Sequence, residues 1–225
     1  MQSATAKVSD SAALERLGSA TLEVVHDLKN QLNGLKLYAT FLRKRLERED
    51  QTAAERETLA KLIAGLDRAA KDLTALVRYA RPVELQKKRG VDLQRIVSNV
   101  IAEAGQRETA GLPTIVITID IGPDPLVGEF DSAAVTEAIK AITDDVRAAV
   151  LVKHAEPPSI IARLASDRNA AIIEWHNAPL PTRSGSLSRG CGTIHTEVAK
   201  KIIEAHDGEL TCDQDTIRVM LPLSN

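Results

Sequence analysis

Aromatic side chains make up only 2% of this chain. That is too few to line a base-stacking platform, which argues against single-stranded nucleic acid as a ligand. An excess of one charge is lacking too: 29 Lys and Arg stand against 31 Asp and Glu, a net charge of −2. Neither a nucleic-acid backbone nor an anionic membrane surface is favoured by that balance. No apolar run approaches the length that spans a bilayer. The start, Met1 to Lys7, lacks the charged-then-apolar order of a signal peptide. Cysteine is scarce. Cys191 and Cys212 lie far apart without metal-ligand spacing, which predicts two reduced thiols in a cytoplasmic protein. His154, His195 and His206 show no such spacing either, so no metal is expected and surface positions are expected for all three. Trp175 is expected to pack at a strand end.

What the chain does have is helical periodicity in its first third. Leu14, Leu17, Leu22, Val25, Leu28, Leu32, Leu35, Phe41, Leu42 and Leu46 predict the buried side of a helix starting near Asp10-Ser11 and ending about Glu49. After a polar turn, Leu59, Leu62, Ile63, Leu66, Ala69, Leu73, Leu76 and Val77 predict a second helix to about Tyr79, ended by Arg81-Pro82. Two helices alone cannot enclose a core, so a second copy completing a four-helix bundle is the simplest solution, with packing of the hairpin against the rest of its own chain as the alternative. Beyond Pro82 the pattern mixes. Residues 83–92 read as a linker with one short strand, 91–105 as a helix, 114–121 as a strand and 131–152 as a helix. A hairpin over 159–164 and 170–175, a helix over 196–206, and strands at 209–212 and 217–221 follow. The expected fold class is α+β, with a helical hairpin in residues 1–82 and an α/β sandwich in residues 83–225.

Residues 25–32, Val-His-Asp-Leu-Lys-Asn-Gln-Leu, carry the chemistry. His26 lies off the leucine stripe, and Lys29, Asn30, Asn33 and Gly34 share its side of the helix within two turns. An imidazole is the nucleophile most easily kept neutral near pH 7, which suits a transferable phosphoryl group. Lys29 would offset phosphate charge, and Asn30 would position an attacking carboxylate or water.

This octapeptide resembles the phosphoacceptor box of bacterial sensor histidine kinases, His-Asp/Glu-Leu-Lys/Arg-Asn-x-Leu. The resemblance implies that His26 is the phosphorylated residue and that Asp27 orients its ring. It also implies that Asn30 stands where some members use an asparagine in phosphatase chemistry, and that two hairpins dimerise into a bundle. Adjacent helix residues diverge by about 100°, so the role of Asp27 comes from the resemblance and not from a shared face. Those kinases normally carry a sensing domain before the box, and none is expected in the short leader here.

Residues 91–223 resemble the ATP-binding GHKL domain of the same kinases, most closely over Ala199–Leu210 and Val219–Leu223. The nucleotide boxes depart from that family. Its Asn-Leu-x-x-Asn-Ala box, source of a magnesium ligand, matches Ala141–Val146, where Asp145 takes the place of the second asparagine and can still ligate Mg²⁺. The Asp-x-Gly-x-Gly box matches His176–Leu180. His176 cannot supply the carboxylate that binds adenine, and losing a charge-assisted hydrogen bond costs about 1.5–3 kcal/mol. Ala178 and Leu180 replace glycines that let the backbone approach the nucleotide. In the glycine-rich lid Gly190 and Gly192 survive, but Ile194 replaces the third glycine. A lone Gly-x-Gly is weak evidence of phosphate binding.

A retained phosphoacceptor beside a degenerate GHKL-type domain resembles the dimeric bacterial histidine phosphotransferases. The resemblance implies phosphoryl shuttling between response-regulator aspartates through His26 in a two-component phosphorelay, without ATP or another cofactor. The partners would be receiver domains, an upstream hybrid kinase and a second copy of the chain, with no nucleic acid and no membrane. Two alternatives stay open. One is a divergent ATP-dependent kinase with Mg-ATP as cofactor. The other is a non-catalytic pseudokinase that binds response regulators, for which His26→Ala would change nothing.

Overall fold

A computed structural model describes Val25 and residues 27–44, 53–107, 114–122, 125–152, 158–176, 193–213 and 215–223. The chain divides into two compact units, Met1–Pro82 and Val83–Asn225.

Among the described residues, the first unit contains α1, helical over residues 27–44, and α2, Ala53–Ala80; the predicted start of the first helix near Asp10-Ser11 and its end at Glu49 lie outside the described residues. An ion pair joins them, Lys36 Nζ to Asp67 Oδ1 at 2.5 Å. Val25, Ala39 and Ala75 are buried, and Leu32, Leu59, Ile63, Leu66, Leu73 and Val77 are half-buried around them. Other residues expected inside are not inside within one chain: Leu28, Leu35, Phe41, Leu42, Leu62 and Leu76 are exposed. The reason is geometric, because one helix covers only one stripe of its neighbour while the apolar arc of each helix is wider than a stripe. Pro82, without an N–H, follows the last turn, which closes with Arg81 N–H donating to Arg78 O at 3.2 Å.

The second unit contains β1 (Lys88–Asp92), α3 (Leu93–Gly105), β2 (Val116–Ile121), β3 (Val127–Phe130) and α4 (Ser132–Val152). It continues with β4 (Ser159–Asp167), β5 (Ala170–His176), α5 (Ile194–Ala205), β6 (Glu209–Asp213) and β7 (Thr216–Pro222). The five-stranded sheet has the order β2-β4-β5-β7-β6, and β1 and β3 form a separate ribbon. All pairs are antiparallel except β2 with β4. Two details depart from expectation. The helix begins at Leu93 and not at Val91, because β1 runs on to Asp92, whose side chain caps α3 by accepting from Arg95 N–H. Strand β3 was not anticipated, since Val-Gly-Glu-Phe is too short to show a period. Gly128 is required there: a Cβ would lie 2.2 Å from Cε2 of the buried Phe130 ring.

Pairing register sorts the sheet into two faces. Ile160, Ala162, Leu164, Ala171, Ile173, Trp175, Ile217, Val219 and Leu221 share one face and are all fully or almost fully buried. Against this layer pack α3, α4 and α5, through residues such as Val97, Ile139, Ile142 and Ile203. Trp175 is thus a core residue near the end of β5. The opposite face carries Arg163, Glu174, His176, Thr216 and Arg218.

Two expectations about single residues are corrected. His206 is buried and not at the surface, because it caps α5 against β3 and α4. Cys212 on β6 is disulfide-bonded and not a reduced thiol. Scarcity and sequence separation, the grounds for the thiol reading, carry no information on proximity in the fold.

Candidate functional site

The segment that resembles a phosphoacceptor box, residues 25–32, falls in the first described turns of α1. His26 is outside the described residues. Beside it, Asp27 and Asn30 are exposed and Lys29 is half-buried. On the next turns of the same helix, Leu37 and Tyr38 are each 69% exposed and Phe41 is 60% exposed. With Gly34 these residues recur at i, i+3, i+4 and i+7 and share one face, and the space over Gly34 is open to beyond 4 Å. Sequence reasoning missed this patch. It placed Phe41 on the buried side and gave Leu37 and Tyr38 no role, although their being out of register with the leucine stripe was a readable signal.

In the second unit Asp145 sits on α4, facing the start of α5. Its Oδ2 accepts from the hydroxyls of Thr193 and Thr196, both at 2.5 Å. Thr193 is also the N-cap of α5, its Oγ1 accepting from His195 N–H at 3.0 Å. One carboxylate oxygen therefore takes two hydroxyl donors, and its negative charge lies at the positive end of a helix dipole. Neighbouring Asp144 faces another way, taking Arg107 Nη1 at 2.8 Å. Arg107 also binds Glu103, as does Lys140. These bonds, Lys140 first and then Arg107, hold the Glu103 carboxyl down to about 2.

His176 is not brought together with Asp145. Register places it on the sheet face opposite the helices, directly across from Thr216, with Nδ1 3.4 Å from the threonine hydroxyl. Its Nε2 lies 3.4 Å from Glu174, and Glu174 is only 6% exposed. Arg218 neutralises that glutamate through Nε at 2.7 Å and Nη2 at 2.6 Å. Ala178, Leu180, Gly190 and Gly192 are outside the described residues. Among the described residues no group of three or more His, Cys, Asp or Glu is arranged to hold a metal ion, and no helix is long and apolar enough to cross a membrane.

No protein-family profile and no curated protein sequence matches the chain. Solved structures do. The Acinetobacter baumannii histidine kinase AdeS superposes with a TM-score of 0.51 at 12% identity, over 84% of this chain and 96% of that one. Full-length ShkA, solved in complex with AMPPNP, superposes with a TM-score of 0.60 at 14% identity, over 92% of this chain and 46% of that one. The fold is histidine-kinase-like. At such identities the likeness speaks for the architecture, a mixed α+β unit resembling the ATP-binding domains of those kinases.

Proposed function

We propose that the chain is a histidine phosphotransferase of a two-component phosphorelay that works without ATP. An unprotonated imidazole nitrogen of His26 attacks the phosphorus of a receiver's aspartyl phosphate. The P–N bond forms as the P–O bond to the aspartate breaks, and the carboxylate leaves. The reverse step delivers the phosphoryl group to a second receiver. In-line transfer asks the protein for positioning and charge: Lys29 offsets the phosphoryl oxygens, Asn30 helps to align them, and Asp27 orients the ring.

The observation that carries the ATP-independent part is the engagement of Asp145. If it stands where kinases hold a magnesium ligand, its Oδ2 is already saturated by Thr193 and Thr196. A triphosphate at the start of α5, a position that otherwise attracts anions, would meet a like charge. The face formed by half-buried Gly34 and exposed Leu37, Tyr38 and Phe41, about two to four turns beyond His26, supplies an apolar seat for a receiver. The Leu28, Leu35 and Leu42 stripe supplies the seam with a second copy.

A second reading, an ATP-dependent kinase, draws on the likeness to ShkA, which was solved with AMPPNP. Phosphoryl acceptance from a phosphorylated receiver separates a transferase from a mere binder. His26→Ala is expected to abolish acceptance while leaving receiver binding within about twofold, read by radiolabel transfer and by titration calorimetry. Undiminished labelling of the variant would remove His26 from the mechanism.

A further inference from the structure

The C-terminal end of α5 holds a histidine that phosphoryl transfer does not use. His206 is 1% exposed, and its ring centroid lies 5.9 Å from that of Phe130. Two contacts fix its tautomer. Nδ1 is 2.8 Å from the Ile202 carbonyl oxygen; a carbonyl can only accept, so Nδ1 carries the proton. Nε2 accepts from Asp131 N–H at 3.0 Å, so it presents a lone pair. The neutral ring is fully bonded. A second proton would enter at Nε2 and turn this hydrogen bond into a contact between two donors.

Asp131 extends the chain of contacts. Its Oδ1 accepts from Ala133 and Ala134 N–H, both at 3.0 Å, and its Oδ2 accepts from Gln86 N–H at 2.8 Å. Next along, Lys87 Nζ pairs with Asp207 at 3.1 Å. Gln86 and Lys87 follow shortly after Pro82, where the first unit ends. One ring, one carboxylate and one ion pair therefore pin the segment that leads into β1.

We propose that His206 and Asp131 form an acid-released clasp: the neutral imidazole holds the β3–α4 junction, Asp131 holds Gln86, and protonation of the ring frees the segment entering the second unit. The charged groups facing the ring are Lys87 ahead of β1, Asp131 between β3 and α4, and Asp207 after α5. Burial acts most strongly and disfavours the imidazolium, and Lys87 works in the same direction. The Ile202 carbonyl, Asp131 and Asp207 oppose them, and the net result lies below the ordinary value of 6.5. The folded state thus binds fewer protons than the unfolded one near that pH. The clasp's contribution is complete above 6.5 and is lost as pH falls from there toward the folded value. Asp131 itself does not switch in this window, because the Gln86 and Ala134 amides hold its carboxyl below 3.8.

Amide exchange of Gln86 in the full chain, corrected for intrinsic rates, tests the clasp between about pH 7.5 and about pH 5. Protection is expected to fall at least about tenfold, with the midpoint of the His206 ring titration seen by ¹⁵N NMR. Flat protection across the range would overturn the proposal. His206→Gln, which does not titrate, should remove the step, and a step that persists would assign it to another group. If that variant does not fold, the wild-type ring decides alone: an Nδ1–H tautomer titrating below 6.5 is expected. An Nε2–H tautomer, or a midpoint at or above 6.5, would refute the clasp.

Discussion

At single positions, the strongest constraint in the second unit falls on a glycine. Gly208 follows Asp207, which has a positive φ of 61°, and a Cβ at Gly208 would lie 2.3 Å from the Met220 carbonyl oxygen. The clash is with the backbone of β7, so no rotamer relieves it. Gly208→Ala should therefore lower unfolding stability by about 1–3 kcal/mol or more, read as a lower denaturant midpoint at unchanged slope. An unaltered midpoint would mean that α5 and β7 are not spaced as described. Legibility at this scale was uneven. The resemblance of residues 25–32 to a phosphoacceptor box stood out because several unlike residue types coincide there. His206 could not, since nothing in the local sequence reveals that β3 and α4 close over the end of α5. Cys212 was misread for the same reason: bonding partners distant in sequence leave no local trace.

For whole elements, periodicity was a good guide where an element was long. The described parts of both helices in the first unit, α4, α5 and the β4–β5 hairpin were readable, because each repeats its apolar pattern over two or more periods. Strand β3 has four residues and a central glycine, so its place follows from pairing with β1 and not from its own composition. The apolar arc of α1 was read as apolar and as wider than one chain's hairpin can cover, and part of it is exposed in the single chain. Its exposed Leu28, Leu35 and Leu42 repeat at intervals of seven, the spacing of a helix–helix seam. On the proposed dimer, Leu35→Lys would place two cations in that seam and should raise the dissociation constant at least about a hundredfold, a cost of about 2.7 kcal/mol. Light scattering behind size exclusion should then report the monomer mass at micromolar concentration. A dimer of undiminished affinity would assign the stripe to some other partner.

Taken whole, the chain combines a histidine-kinase-like architecture with side-chain networks at two of the positions that resemble nucleotide boxes. Asp145 ties α4 to the first turn of α5. His176 joins Glu174, Arg218 and Thr216 on the face away from the helices. At these two positions, Asp145 and His176, the described residues form polar networks within the second unit, while residues 25–32 carry the residue types that the proposed phosphoryl transfer needs. The sequence made the architecture legible through the order of its elements. It left the engagement of Asp145 open, because a carboxylate at that position suits a magnesium ion and a pair of threonine hydroxyls equally well. Only the positions of Thr193 and Thr196 favour one use over the other.

The most direct test of the central claim is the intact mass of the purified protein after incubation with Mg-ATP and, in parallel, with a phosphorylated receiver from the same organism. The account predicts one added phosphoryl group, mapped to His26, from the receiver alone. Phosphorylation of His26 by Mg-ATP would contradict it, make the protein a kinase, and show that Asp145 yields its threonine partners to a metal ion.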